Sequence, residues 1–143
     1  MKVRRTVPFL VLLGLSAAGF SEKPIACDPN ALSGSQRERH RALGEKLRGA
    51  VAGRVELANG YTLVLDLDRL PPDAAGFPFC VVEVAEWVDL ESRCCPFLEF
   101  GIEVPAKGRV VRLRLTGGNG VKPFLRTELG LLDEGAGRGD RRD

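Results

Sequence analysis

Two adjacent cysteines, Cys94 and Cys95, stand directly before Pro96 and a few residues after a carboxylate, Glu91. Thiolates are nucleophiles and strong ligands for soft metal ions, and two in succession place two sulfurs in one small volume. Glu91 precedes them by three and four residues, so on a helix it covers the same patch of surface as both thiols. Two further cysteines, Cys27 and Cys80, and the single histidine, His40, complete the set of soft and borderline ligands. Two thiolates joined by a third sulfur suit zinc, cadmium, mercury or copper(I). Cys94 and Cys95 are thus the first metal-ligand candidates, one of which could bind while the other packs, and Cys27, Glu91 (as ligand or orienting group) or His40 could complete the set. Cys80, between Phe79 and Val81, reads as core instead.

Other uses of these residues compete with metal binding. A thiol enzyme or redox protein would use one cysteine as nucleophile, with Glu91 or His40 as base. Against it, Cys94 and Cys95 fall at a helix C-terminus, whose dipole is negative and does not lower a thiol pKa. There is no C-x-x-C motif, and one histidine without a companion motif supports no catalytic set, so no catalytic residue is assigned. A structural or interaction domain would use the cysteines as small apolar groups or as a disulfide. Direct Cys94–Cys95 bonding closes a strained eight-membered ring, so in an oxidising compartment one of them should pair elsewhere or hold a metal. The spacing does not choose the partner.

The elements that must position these residues are legible from periodicity. Ser35 and Glu38 form a capping-box pattern opening a helix with apolar Leu43, Leu47, Ala50 and Val51, stopped by Gly53. His40 lies on that same stripe and should face inward or line the core edge. Val55 and Leu57, then Tyr61, Leu63 and Leu65, alternate around Asn59-Gly60, a hairpin signature. Breakers Pro71-Pro72-Asp73 and Gly76 mark a loop over residues 66–78. A second helix runs from residue 81 to about 93, apolar at Val84, Trp87 and Val88, and Pro96 ends it. Glu91 falls on its inward face, where an unpartnered carboxylate is costly by several kcal/mol, so it should be paired, protonated or bound to something. Leu98, Phe100, Ile102 and Val104 alternate as a third strand, and Val111, Leu113 and Leu115 as a fourth. Pairing Val104 with Arg109 would set Glu99 opposite Arg114. The turn Gly117–Gly120 leads to a last helix near Pro123, running to about Leu129. The order α-β-β-α-β-β-α gives an α+β fold: a four-stranded antiparallel sheet with helices packed on one face.

Composition bounds the rest. The 143 residues are 44% hydrophobic and 28% charged, with a net charge of +2, which describes one globular domain without a nucleic-acid footprint. Residues 1–22 pair a basic start, Met1 to Arg5, with an apolar run from Val7 to Phe20, the shape of a signal peptide too short for a confident membrane span. The expectation is export to the periplasm or medium, or a cytoplasmic protein if the start is mis-assigned, with no membrane span once the leader is gone. A lipid anchor on Cys27 is disfavoured, because residues 21–24 separate it from the apolar run. A single domain over residues 23–130 is followed by a Gly- and charge-rich tail, residues 131–143, read as disordered.

The stretch from Glu91 to Phe100, with Leu113-Arg114-Leu115-Thr116-Gly117 and Lys122-Pro123-Phe124-Leu125, resembles a small bacterial family with a "CCPFL-F" signature. It is also similar to a C-terminal extension of some heavy-metal-responsive MerR-type regulators. The resemblance runs from Ile25 to Leu129 and includes no helix-turn-helix, so direct DNA contact is not implied. It implies a metal site at Cys27, Glu91, Cys94 and Cys95.

Overall fold

The computed structural model describes residues 25–106 and 109–127. The leader expected at residues 1–22 and the tail at 131–143 lie outside the described residues. Within them the order is helix α1 (Gly34–Ala50), strands β1 (Val51–Leu57) and β2 (Gly60–Asp66), helix α2 (Val81–Cys94), strands β3 (Leu98–Glu103) and β4 (Val110–Gly117), and helix α3 (Val121–Thr127). This is the expected α+β order. The four strands form one antiparallel sheet in the order β1-β2-β4-β3.

Helix α1 starts two residues earlier than the Ser35–Glu38 pattern suggested. Ser33 Oγ accepts from Gln36 N–H at 3.3 Å, and Gln36 Oε1 accepts from Ser33 N–H at 2.9 Å. The same S-x-x-E/Q logic holds, moved to the pair that also follows a buried Leu32. Leu43, Leu47 and Ala50 are fully buried, but Val51 already belongs to β1. Gly53 does not stop the helix; it sits at a register irregularity in β1.

The hairpin loop is Ala58-Asn59 rather than Asn59-Gly60, since Leu57 pairs with Gly60. Gly60 has no positive φ. What demands glycine there is space: a Cβ would stand 2.0 Å from the Leu115 carbonyl oxygen on β4. Tyr61, Leu63 and Leu65 stand beside Leu115, Leu113 and Val111, and this row is buried. Trp87 of α2 meets Phe100 of β3 edge to face on the same side, and Arg126 of α3 donates to Tyr61 Oη at 3.0 Å. The helices thus cover one face of the sheet.

The β3–β4 register departs from expectation by two residues. Glu99 pairs with Thr116 and Gly101 with Arg114, and the cross-strand ion pair is Glu103–Arg112 at 2.7 Å. The Arg114 guanidinium lies over Gly101, where a Cβ would approach it to 2.9 Å. An even slip keeps every side chain on its face, so the core is unaffected. Val104 lies beyond β3 and is exposed.

Candidate functional site

Helix α2 carries the site on its last turn. Glu91, Cys94, Trp87 and Val84 share its buried stripe, as helical periodicity requires. Cys95 is the C-cap, its N–H donating to the Glu91 carbonyl at 2.8 Å, and Pro96 can extend the helix no further. The chain before α1 is drawn against this helix end, where Asp28 N–H donates to the Cys94 carbonyl at 2.8 Å. Ile25 packs on Gly120, whose φ of +86° strains any side chain there. Cys27 is thereby brought to Cys95, and the two form a disulfide with Cα atoms 4.5 Å apart. The partner that the cysteine spacing left open is Cys27. In this oxidation state neither sulfur offers a thiolate.

Glu91 is 1% exposed. Its Oε2 lies 2.5 Å from His40 Nε2, in a hydrogen-bonded pair between α2 and α1. Its Oε1 is buried with no hydrogen-bond partner among the described residues. Such an orphaned carboxylate oxygen is uncommon, because burying it unmatched costs about 1–3 kcal/mol. The expectation that Glu91 is paired, protonated or bound to something is met by the His40 pair, which engages one oxygen and leaves the other unmatched.

The helix pair that joins His40 to Glu91 carries charged contacts on its flanks. Arg39 grips Glu86 with two hydrogen bonds of 2.8 and 2.6 Å, and Lys46 reaches Glu83 at 2.7 Å. These half-exposed pairs each contribute little energy and flank the buried contact of α1 with α2, where Leu43, Leu47, Val84 and Trp87 share the core. The His40 ring stacks on Trp87 with centroids 5.8 Å apart and planes 11° from parallel. Trp87, one turn before Glu91, was not among the candidates from sequence. Its position on the Glu91 stripe was visible there; its stacking on a residue of another helix was not.

Cys94 remains a buried free thiol. It donates to the Glu91 carbonyl at 3.4 Å and the Leu90 carbonyl at 3.5 Å, and stands 3.9 Å from both Glu91 Oε2 and Cys95 Sγ. Burial, and secondarily the Glu91 carboxylate, push its pKa up to about 11. Since the thiolate is the reactive form, roughly one part in a thousand is available at pH 8. Alkylation of Cys94 in the native oxidised protein is expected to be slow at pH 8 and to rise about tenfold per pH unit towards 11. Peptide mapping of the iodoacetamide adduct on Cys94 against pH, scored apart from the half-buried free thiol of Cys80, checks this, and rapid saturation of Cys94 at pH 8 would contradict it.

All five candidate ligands meet in one place. Ligand atoms of Cys27, Glu91 and Cys95 lie within 4.8 Å of one another, and so do those of His40, Glu91 and Cys94. Glu91 is common to both sets. Cys80, read from sequence as core, is instead half-buried at the N-cap of α2, where its N–H donates to Glu83 at 3.3 Å. Its neighbour Phe79 takes the buried position.

No family model, curated protein or solved structure matches the chain. Among the described residues no helix is long and apolar enough to cross a membrane.

Proposed function

We propose that this domain binds one thiophilic metal ion of the zinc, cadmium, mercury or copper(I) class. In the dithiol form its ligands are Cys27, Cys95 and Cys94, completed by Glu91, with His40 orienting the carboxylate. The observation that carries this reading is the buried Glu91 carboxyl group, one oxygen of it without a partner, in both clusters that bring it within 4.8 Å of the Cys27 and Cys95 sulfurs and of the Cys94 sulfur. A cation there would satisfy the oxygen and neutralise the thiolates, including that of Cys94, which burial and the carboxylate otherwise disfavour. The donor set fits soft ions: sulfur selects them, and one carboxylate oxygen is tolerated by zinc and cadmium. A hydrogen bond from His40 to the ligating carboxylate is the kind of outer contact that orients metal ligands. The resemblance to an extension of metal-responsive regulators agrees with this reading.

Anaerobic titration of the reduced protein with Cd(II) tests it. One equivalent should bind with a thiolate-to-metal absorption band, and Cys94→Ser should weaken binding at least tenfold. Absence of the band, or unchanged affinity in Cys94→Ser, would defeat the proposal.

A second reading, a structural domain, is favoured by the Cys27–Cys95 disulfide itself, which needs no metal to tie the N-terminal segment down. It leaves Glu91 Oε1 without an explanation. The disulfide is also what an exported protein would carry, in line with the leader expected from sequence.

A further inference from the structure

We infer that the Cys27–Cys95 disulfide is a redox lock on the metal site, opened by a low-molecular-weight thiol that enters at Cys27. The inference rests on the metal-binding reading above and adds its regulation. Two of the three proposed sulfur ligands are the two halves of one disulfide. A sulfur cannot be a disulfide half and a thiolate ligand at once, so oxidation removes both ligands together. What remains is His40, Glu91 and Cys94, one nitrogen, one oxygen and one sulfur. That set is harder and smaller than the open one, and its affinity for a soft ion is correspondingly lower.

Accessibility fixes the direction of opening. Cys95 is fully buried, whereas Cys27 is half-buried on the segment preceding α1. An external thiolate can reach only the Cys27 sulfur. It forms a mixed disulfide with Cys27, and the electron pair of the broken sulfur–sulfur bond leaves on Cys95. The departing Cys95 thiolate has the Cys94 sulfur 3.9 Å away, close enough to donate its S–H to it. A second external thiolate attacks the outer sulfur of the mixed disulfide, releasing a small-molecule disulfide and the Cys27 thiolate. Two thiols are oxidised to one disulfide, and the protein disulfide is reduced by two electrons. Both new thiolates then lie beside the Glu91 carboxylate, one ligand atom of each residue within 4.8 Å of the others.

The coupling runs both ways, because linkage is reciprocal. With free metal at about one hundred times its dissociation constant for the dithiol form, the reduced-to-oxidised ratio at a fixed thiol poise should rise about 100-fold. For a two-electron couple that is a shift of about 60 mV toward easier reduction.

The test compares the native oxidised chain with the same chain reduced by a phosphine and desalted anaerobically, each titrated with Cd(II). The near-ultraviolet signal of Trp87, the only tryptophan, reports that each form is folded. The folded reduced form should bind one equivalent at least 100-fold more tightly than the oxidised form. Oxidising the loaded protein with a small-molecule disulfide should expel the ion. Brief exposure to mercaptoethanol should leave the trapped adduct on Cys27 by peptide mapping. Equal Cd(II) affinity of the two forms overturns the lock while leaving metal binding intact. Loss of binding in both forms, or loss of the tryptophan signal on reduction with no recovery on adding Cd(II), overturns the metal reading and the lock together. An adduct mapped to Cys95 overturns the route of entry.

Discussion

Opening the Cys27–Cys95 disulfide, by reduction or by Cys27→Ser, is expected to lower the unfolding free energy by about 4 kcal/mol. The bond spans a sequence separation of 68, and in the chain-entropy account a loop of that length contributes about this much by restricting the unfolded chain. Besides the disulfide, the described contacts that hold the segment before α1 are the Asp28–Cys94 backbone bond, the Arg37 guanidinium donating to the Leu32 and Pro29 carbonyls, the Ile25 contact with Gly120 and the buried Leu32. For a domain of this size 4 kcal/mol is a large share of the roughly 5–15 kcal/mol that keeps it folded. A bound ion can restore the constraint, because Cys27 and Cys95 as joint ligands close the same loop. Cd(II) at about one thousand times its dissociation constant returns about 4 kcal/mol. Urea unfolding of the reduced protein with and without Cd(II) separates the readings. Recovery of most of the loss by metal is the expected result. A loss that no ion reverses would make the disulfide a structural staple and nothing more.

Much of this arrangement was legible in the sequence, and the parts that were not share a physical cause. Glu91 reads as inward-facing because α2 obeys one period over its whole length, and a carboxylate on an apolar stripe is conspicuous. Its partner His40 could be placed on an inward stripe of α1 but not opposite Glu91. That pairing depends on how two helices pack, with contacts such as Arg39–Glu86 and Lys46–Glu83 made across a separation local rules do not span. The disulfide was open for the same reason: Cys27 meets Cys95 only once Ile25 and Asp28 have docked on Gly120 and the end of α2. Turns were misplaced by small steps. Asn59-Gly60 looks like the loop because glycine so often supplies a positive φ, whereas Gly60 answers to the close approach of β4. The β3–β4 slip left the core intact because alternation fixes the face of a strand and says nothing of even shifts.

His40→Ala is expected to lower the unfolding free energy by about 3–4 kcal/mol, whereas Glu91→Leu should be neutral or raise it by about 1–3 kcal/mol. The asymmetry follows from exposure. Glu91 is buried with one oxygen already unmatched, so removing its imidazole partner strands the whole carboxyl group out of water. The His40 side chain is 25% exposed and rests on Trp87, so without Glu91 it still reaches solvent and keeps its stack. Leucine in place of Glu91 adds apolar contact among Trp87, Leu90 and Cys94 and removes the orphaned oxygen. The double variant should lie near Glu91→Leu, giving a coupling energy of about 3–4 kcal/mol in a double-mutant cycle by urea unfolding. The same Glu91→Leu chain, reduced, should bind Cd(II) at least tenfold more weakly. Stability gained as binding is lost is the signature of a residue retained for a site rather than for the fold. If Glu91→Leu instead costs more than about 2 kcal/mol, the His40–Glu91 pair belongs to the architecture of α1 against α2, and the carboxylate loses its claim as a ligand.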